Sequence, residues 1–116
     1  MSDRFSFRAF LAVGSVGGLL GMSGAWAEPL SLEAGTSLAK SSACLACHQV
    51  DSKRVGPGFR QIAQRYAGQP GAESLIVQSI YQGGSGKWGA IPMPAQRHVS
   101  KEDAARLAEW ILSLKP

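Results

Sequence analysis

The sequence predicts an all-α fold of about four short helices. Apolar residues recur at helical spacing in four separate stretches, Gly- and Pro-rich segments divide them, and no stretch alternates with the period of a strand. With 116 residues, 45% hydrophobic and 17% charged, the chain suits one small domain and is too apolar to be disordered throughout. The two cysteines are too few for a disulfide scaffold.

At the N-terminus, Arg4 and Arg8 open a basic start, followed by a 14-residue apolar run from Ala9 to Met22 that holds four glycines. Ser23-Gly24-Ala25-Trp26-Ala27 then ends in the small-x-small pattern of a signal peptidase site. A spanning helix needs roughly 20 apolar residues, so an uncleaved anchor fits less well than an export signal. Residues 1–27 are therefore expected to be a cleaved Sec-type signal peptide and residues 28–116 one domain, placed in the periplasm without a membrane anchor. Cleavage leaves 89 residues and lowers the formal net charge from +4 to +3. No Lys/Arg cluster marks a nucleic-acid surface. A domain of this size has a thin core and commonly needs a staple.

The first predicted helix runs from residue 32 to about 43 on Leu32, Gly35, Leu38 and Ala39, with residues 44–48 extending it. A polar loop ends in Val55-Gly56-Pro57-Gly58. Phe59, Ile62, Ala63 and Tyr66 then form one face of a second helix closed by Gly68. Pro70-Gly71 turns into a third, from Ala72 to Gln82, with Leu75, Ile76, Ser79 and Ile80 inward and Gly83-Gly84 as its stop. Ser100-Lys101-Glu102-Asp103 resembles a capping box. It opens a last helix to about Leu114, with Ala104, Leu107, Ala108, Ile111 and Leu114 as its stripe and Trp110 beside it. Between the last two helices lie 17 residues, 83–99, with neither period. Such loops are usually functional.

Cys44-Leu45-Ala46-Cys47-His48 carries the chemistry. C-x-x-C-H is the attachment sequence of c-type haem. Positions three and four apart share a helical face, so Cys44 and Cys47 can reach two vinyl groups of one porphyrin while His48 meets the iron. Two thioether bonds would also supply the staple. A thioredoxin-like thiol pair would want a βαβ context, zinc would need four ligands, and a plain disulfide would leave the histidine unexplained. For the second axial position Met93 is the candidate, 45 residues after His48 and held between Pro92 and Pro94. The bland alternative is core filler. His98 competes for the position but sits in a polar stretch and reads as a surface residue. A His/Met pair fills both axial positions and raises the potential. That suits an electron carrier and provides no open site for an enzyme.

These residues, with Val55-Gly56-Pro57, Tyr66-Ala67-Gly68, Trp88-Gly89, Ile91-Pro92-Met93-Pro94 and Leu107-Ala108-Glu109-Trp110, make the chain resemble class I cytochromes c. Within them it is similar to the small bacterial cytochrome c-551 (cytochrome c8) family over residues 32–116. The resemblance implies a class I cytochrome c fold wrapped around one covalent haem c, with His48 and Met93 as axial iron ligands. It crosses the first and last helices, pairing Gly35, Leu38 and Ala39 with Leu107, Trp110 and Ile111. It further implies that the carbonyl of Pro57 accepts from the imidazole of His48 and that the indole of Trp88 donates to a haem propionate. Phe59, Tyr66, Ile76 and Ile80 would line the porphyrin.

Two departures stand out. A basic residue common on the third helix is Ser79 here. The stretch Ala95-Gln96-Arg97-His98-Val99 is one residue longer, which leaves open whether Gln96 bonds the Met93 sulfur.

The function implied is a monomeric periplasmic one-electron carrier serving respiratory redox proteins. Its donor or acceptor would be a respiratory complex, a terminal oxidase, a peroxidase or, in denitrification, a nitrite reductase. An apolar patch of Ala46, Val55, Ile91, Pro92 and Pro94 is expected around an exposed haem edge. Lys40, Lys53, Arg54, Lys87 and Arg97 flank it, either as a steering rim or as ordinary solvated charges.

Overall fold

The last helix organises the molecule. In the computed structural model, which describes residues 28–114 together with Gly14, Gly17, Gly18 and Gly21, four helices follow one another. They are α1 (Leu32–Ser41), α2 (Phe59–Tyr66), α3 (Ala72–Gln82) and α4 (Lys101–Ser113). Helix α4 packs against each of the other three. Its stripe of Ala104, Leu107, Ala108, Trp110 and Ile111 is buried, as the spacing predicts. The described residues contain two isolated bridge pairs and no longer ladder. None of the described helices is long and apolar enough to cross a membrane. The export signal, apart from its glycines, lies outside the described residues.

Two helix starts carry side-chain caps, that of α4 as the sequence indicates. The Ser31 hydroxyl accepts from the Ala34 amide at 3.1 Å and opens α1; Glu33 in its first turn and Lys40 in its last complement the helix dipole. The Ser100 hydroxyl likewise accepts from Asp103 N at 3.1 Å to open α4. Helix α2 starts with the Gly58 amide donating to Gln61 Oε1 at 2.8 Å.

The expected continuation of α1 into residues 44–48 is not what the chain does. Helix α1 stops at Ser41, and Ala43 takes a left-handed conformation at φ 63°. A separate 3₁₀ turn then spans Cys44–Ala46. Left-handed geometry at a non-Gly residue costs about 1 kcal/mol, and it redirects the chain away from the α1 axis. The local helical grouping survives the break, because the amides of Cys47 and His48 both return to Cys44 O, at 3.2 and 2.9 Å.

The crossing of α1 and α4 rests on one absent side chain. A Cβ on Gly35 would lie 2.1 Å from Trp110 Cε2, so the indole occupies the space a side chain would need. Trp110 is fully buried, and its Nε1 has no hydrogen-bond partner among the described residues. Packing alone sets the ring, and it passes the contact on edge-to-face to Phe59 of α2, centroids 5.4 Å apart.

Residues 83–99 form a strap running from the end of α3 to the start of α4. Gly83 reverses the chain at φ 66°, where a Cβ would also meet Met93 O at 2.3 Å. Gly84 and Met93 then exchange both backbone hydrogen bonds, at 3.0 and 2.8 Å. Farther along, the Gln96 amide donates to Ile80 O at 2.7 Å and the Tyr81 hydroxyl to Val99 O at 2.7 Å. The segment without periodicity is thus tied to α3 at several points.

The Gly35–Trp110 contact yields a first prediction. Replacing Gly35 with Ala should lower unfolding stability by at least about 2 kcal/mol through overpacking. Urea unfolding followed by tryptophan fluorescence reads this; an unchanged midpoint would mean the helices do not cross there.

Candidate functional site

A long cleft opens between the helices and the strap. The turn and loop supply Cys44, Cys47, His48, Val55, Gly56 and Pro57; α2, α3 and α4 supply Phe59, Ile62, Tyr66, Ile76, Ile80, Leu107 and Ile111; the strap supplies Trp88, Ile91, Pro92, Met93 and Pro94. Cys44, Cys47, His48, Pro57, Trp88 and Met93 therefore border one space with the expected wall residues, while Ala46 of the expected mouth patch does not border it. The lining is mainly apolar, so the space suits a broad apolar body with few polar attachments.

His48 is the most constrained residue in it. The side chain is buried, and its Nδ1 lies 2.7 Å from the carbonyl oxygen of Pro57. A carbonyl can only accept, so Nδ1 carries the proton and Nε2 keeps a free lone pair in the neutral ring. Phe59 stacks on the imidazole, with centroids 5.3 Å apart and planes 18° from parallel. Gly56 closes the other contact: a Cβ there would stand 2.6 Å from His48 Cε1. The amides of Val55 and Gly56 both bind Cys47 O, at 3.1 and 2.8 Å, locking the loop to the turn. The local sequence produces this cage because Gly56 admits the ring and Pro57 supplies a carbonyl from a stiff backbone.

The two cysteines are free thiols, both half-buried. Burial pushes the Cys44 thiol above its ordinary value, with its own backbone hydrogen bond pulling the other way. Nucleophilic redox cysteines are displaced in the opposite direction. Cys44 therefore lacks the electropositive setting of an attacking redox thiol. Among the described residues no group of three or more His, Cys, Asp or Glu could hold a metal ion. A metal here would have to bring most of its own ligands, as in a macrocycle.

Met93 borders the same cleft as His48 and is half-buried, its backbone fixed by the pair with Gly84. The Gln96 side-chain amide donates through Nε2 to Pro94 O at 2.9 Å and makes no hydrogen bond to the Met93 sulfur. Ser79 borders the cleft, but its hydroxyl donates to Leu75 O at 3.0 Å within α3.

Trp88 has a partner that sequence reasoning missed. The Arg65 guanidinium lies 4.4 Å from the centroid of the indole and donates to Lys87 O, clasping the strap to α2. Lys53, Gln61 and Gln64 surround the same corner. Arg65 reads in the sequence as one more polar residue on the outer face of α2, and no local signal links it to a residue 23 positions away. At the mouth of the cleft Ile91 is 64% exposed and Val55 43%, more than single large hydrophobics need to be. The cations Lys40, Lys53, Arg54, Lys87 and Arg97 are all exposed.

Comparison with known proteins agrees with this geometry. Residues 32–115 match the family described as Cytochrome c. The chain is 44% identical over 107 residues to cytochrome c-551 of Pseudomonas aeruginosa, covering 92% of this chain and 96% of that protein. It is 47% identical over 83 residues to cytochrome c-551 of Azotobacter vinelandii, covering 72% of this chain and 100% of the relative. Among solved structures it is similar to wild-type cytochrome c552 of Nitrosomonas europaea, with a TM-score of 0.68 and 49% identity over 69% of this chain and 99% of that one.

The cage around His48 gives a second prediction. Gly56→Ala should displace the imidazole, break its bond to Pro57 and destabilise the fold by about 2 kcal/mol. Denaturant unfolding measures the loss. Wild-type stability in this variant would show that the ring has room to spare.

Proposed function

The chain belongs to the cytochrome c family and is a small electron carrier with one covalent haem c, and from that premise we propose which residues serve the haem and where the protein works. His48 and Met93 are the axial ligands of the iron. Cys44 and Cys47 carry the two thioether bonds, the Pro57 carbonyl holds the His48 ring, and the Trp88 indole donates to a propionate. The observation that carries this reading is the tautomer of His48: a proton pinned on Nδ1 leaves Nε2 as a ligand in a cleft that Met93 also borders.

Bound there, the group supplies a reversible one-electron couple. The protein's part is to hold its ligands still and keep water away. The hydrogen bond to Pro57 orients the imidazole and raises its basicity. The apolar walls from Phe59, Tyr66, Ile76 and Ile80 exclude solvent from the site. A thioether as second ligand raises the potential, and with both positions taken there is no vacancy for a substrate. The carrier reading follows from that closure, as does the absence of enzymatic activity.

Export to the periplasm follows from the signal pattern of residues 1–27. In support, the match to the Azotobacter protein covers all of that relative but only 72% of this chain. The donors and acceptors are respiratory redox proteins. They would meet the apolar mouth at Val55 and Ile91, with the exposed cations around it steering an acidic partner.

Two measurements test the proposal. Exported ferric protein should show the weak sulfur-to-iron absorption band and stay low-spin, and Met93→Ala should abolish the band; its persistence would move the ligand elsewhere. N-terminal sequencing of the same exported material should begin at Glu28-Pro29-Leu30. A sequence starting at Met1 would mean that the leader is retained.

A further inference from the structure

Of the hydrogen bonds that tie down the Met93 strap, those of Met93, Gln96 and Val99 run to α3 and its C-terminal glycines, and Lys87 O takes one from Arg65 of α2. Among the described residues one bond runs the other way, to the end of α1. His98 Nε2 lies 3.0 Å from the carbonyl oxygen of Ser42. That carbonyl can only accept, so Nε2 carries the hydrogen, in the neutral ring as in the cation. Ser42 is 7% exposed and caps α1, its amide donating to Leu38 O at 3.0 Å. Its carbonyl is one of the terminal groups that a helix leaves without an internal partner, and a buried one needs a donor. The next residue is Ala43 in its left-handed turn, and Cys44 follows.

We infer that His98 is a positioning residue: it pins the strap that carries Met93 to the turn that carries Cys44 and Cys47. This rests on the reading of Met93 as the second axial ligand. With the pin in place the strap is held on two sides, at Ile80 and Tyr81 of α3 and at Ser42 beyond α1. Without it, residues 94–98 are held from the α3 side alone, and the Ser42 carbonyl keeps only the weak contact from Cys44 Sγ at 3.8 Å. Displacement of Met93 from the iron requires the strap to lift. A bond that exists only in the seated strap therefore slows that displacement. His98 never touches the iron in this arrangement, because the nitrogen nearest α1 is spent on the backbone.

The test is ligand exchange in the ferric holoprotein. Mixing with excess imidazole and following loss of the sulfur-to-iron band gives the rate at which Met93 yields its place. His98→Ala should raise that rate about three- to tenfold, the range expected for one lost hydrogen bond. His98→Gln, whose side-chain amide can donate to the same carbonyl, should return it close to wild type. Ser31→Ala weakens the far end of α1 without touching the strap and should leave the rate unchanged. Equal rates in wild type and His98→Ala would overturn the inference. So would an acceleration shared by Ser31→Ala, which would reduce the effect to general stability. A wild-type ferric protein lacking the band would overturn the Met93 reading and this inference with it.

Discussion

A single proton on Nδ1 of His48, given to the carbonyl of Pro57, sets the conditions for the rest of the structure. Were the proton on the other nitrogen, the lone pair would lie on Nδ1 and face the Pro57 carbonyl. The bond exists because a loop of ten residues is folded back onto the attachment turn. Phe59 and Arg60 donate their amides to Gln49 O and Val50 O, at 2.8 and 3.0 Å, closing that loop at its base. Arg60 adds an ion pair with Asp51 at 2.6 Å, exposed enough to contribute little beyond local order. Packing then carries the constraint outward, from His48 to Phe59, from Phe59 to Trp110, and from Trp110 onto the bare backbone of Gly35. The helix crossing and the ligand geometry are one stack of contacts, so neither can be changed alone.

That stack accounts for one side of the cleft; the strap accounts for the other. Its composition looks unfavourable, with glycines and prolines at close intervals and few side chains long enough to pack. What holds it is backbone pairing with α3 and the grip of Arg65 on Trp88 and Lys87. The prolines on either side of Met93 remove amide donors that would otherwise need partners in an apolar space. A small domain with a large internal cleft would be poorly stable by itself. A covalently anchored apolar ring converts that deficit into core, which is why the same two cysteines serve both stability and function.

Much of this was legible in the chain before any coordinates. The limits of α2 and α3, the stripe of α4 and the Ser100 start are local matters, decided by periodicity, caps and glycines within a few residues. The spacing of Cys44, Cys47 and His48 survives as a helical turn even though α1 breaks before it. The break itself was hidden, because Ala43 is a good helix former and nothing nearby announces a left-handed residue. Arg65 over Trp88 and His98 on Ser42 were hidden for a different reason. Each joins residues 23 or 56 positions apart, and the partner in the second case is a backbone carbonyl with no sequence signature. The side-chain amide of Gln96 bonds Pro94 O, again a backbone carbonyl with no mark in the sequence.

The ties on either side of His98 explain how it reaches the end of α1. Between Gln96, tied to Ile80, and Val99, tied to Tyr81, the chain has two residues to spare. Both ends of that short arc are fixed to α3, so its middle bulges away from α3. Arg97 is exposed on it, while the His98 ring finds the unsatisfied end of α1. The same short arc therefore sets the Gln96 side chain on Pro94 O and the His98 ring on Ser42 O, and so ties the strap that contains Met93 to the end of α1.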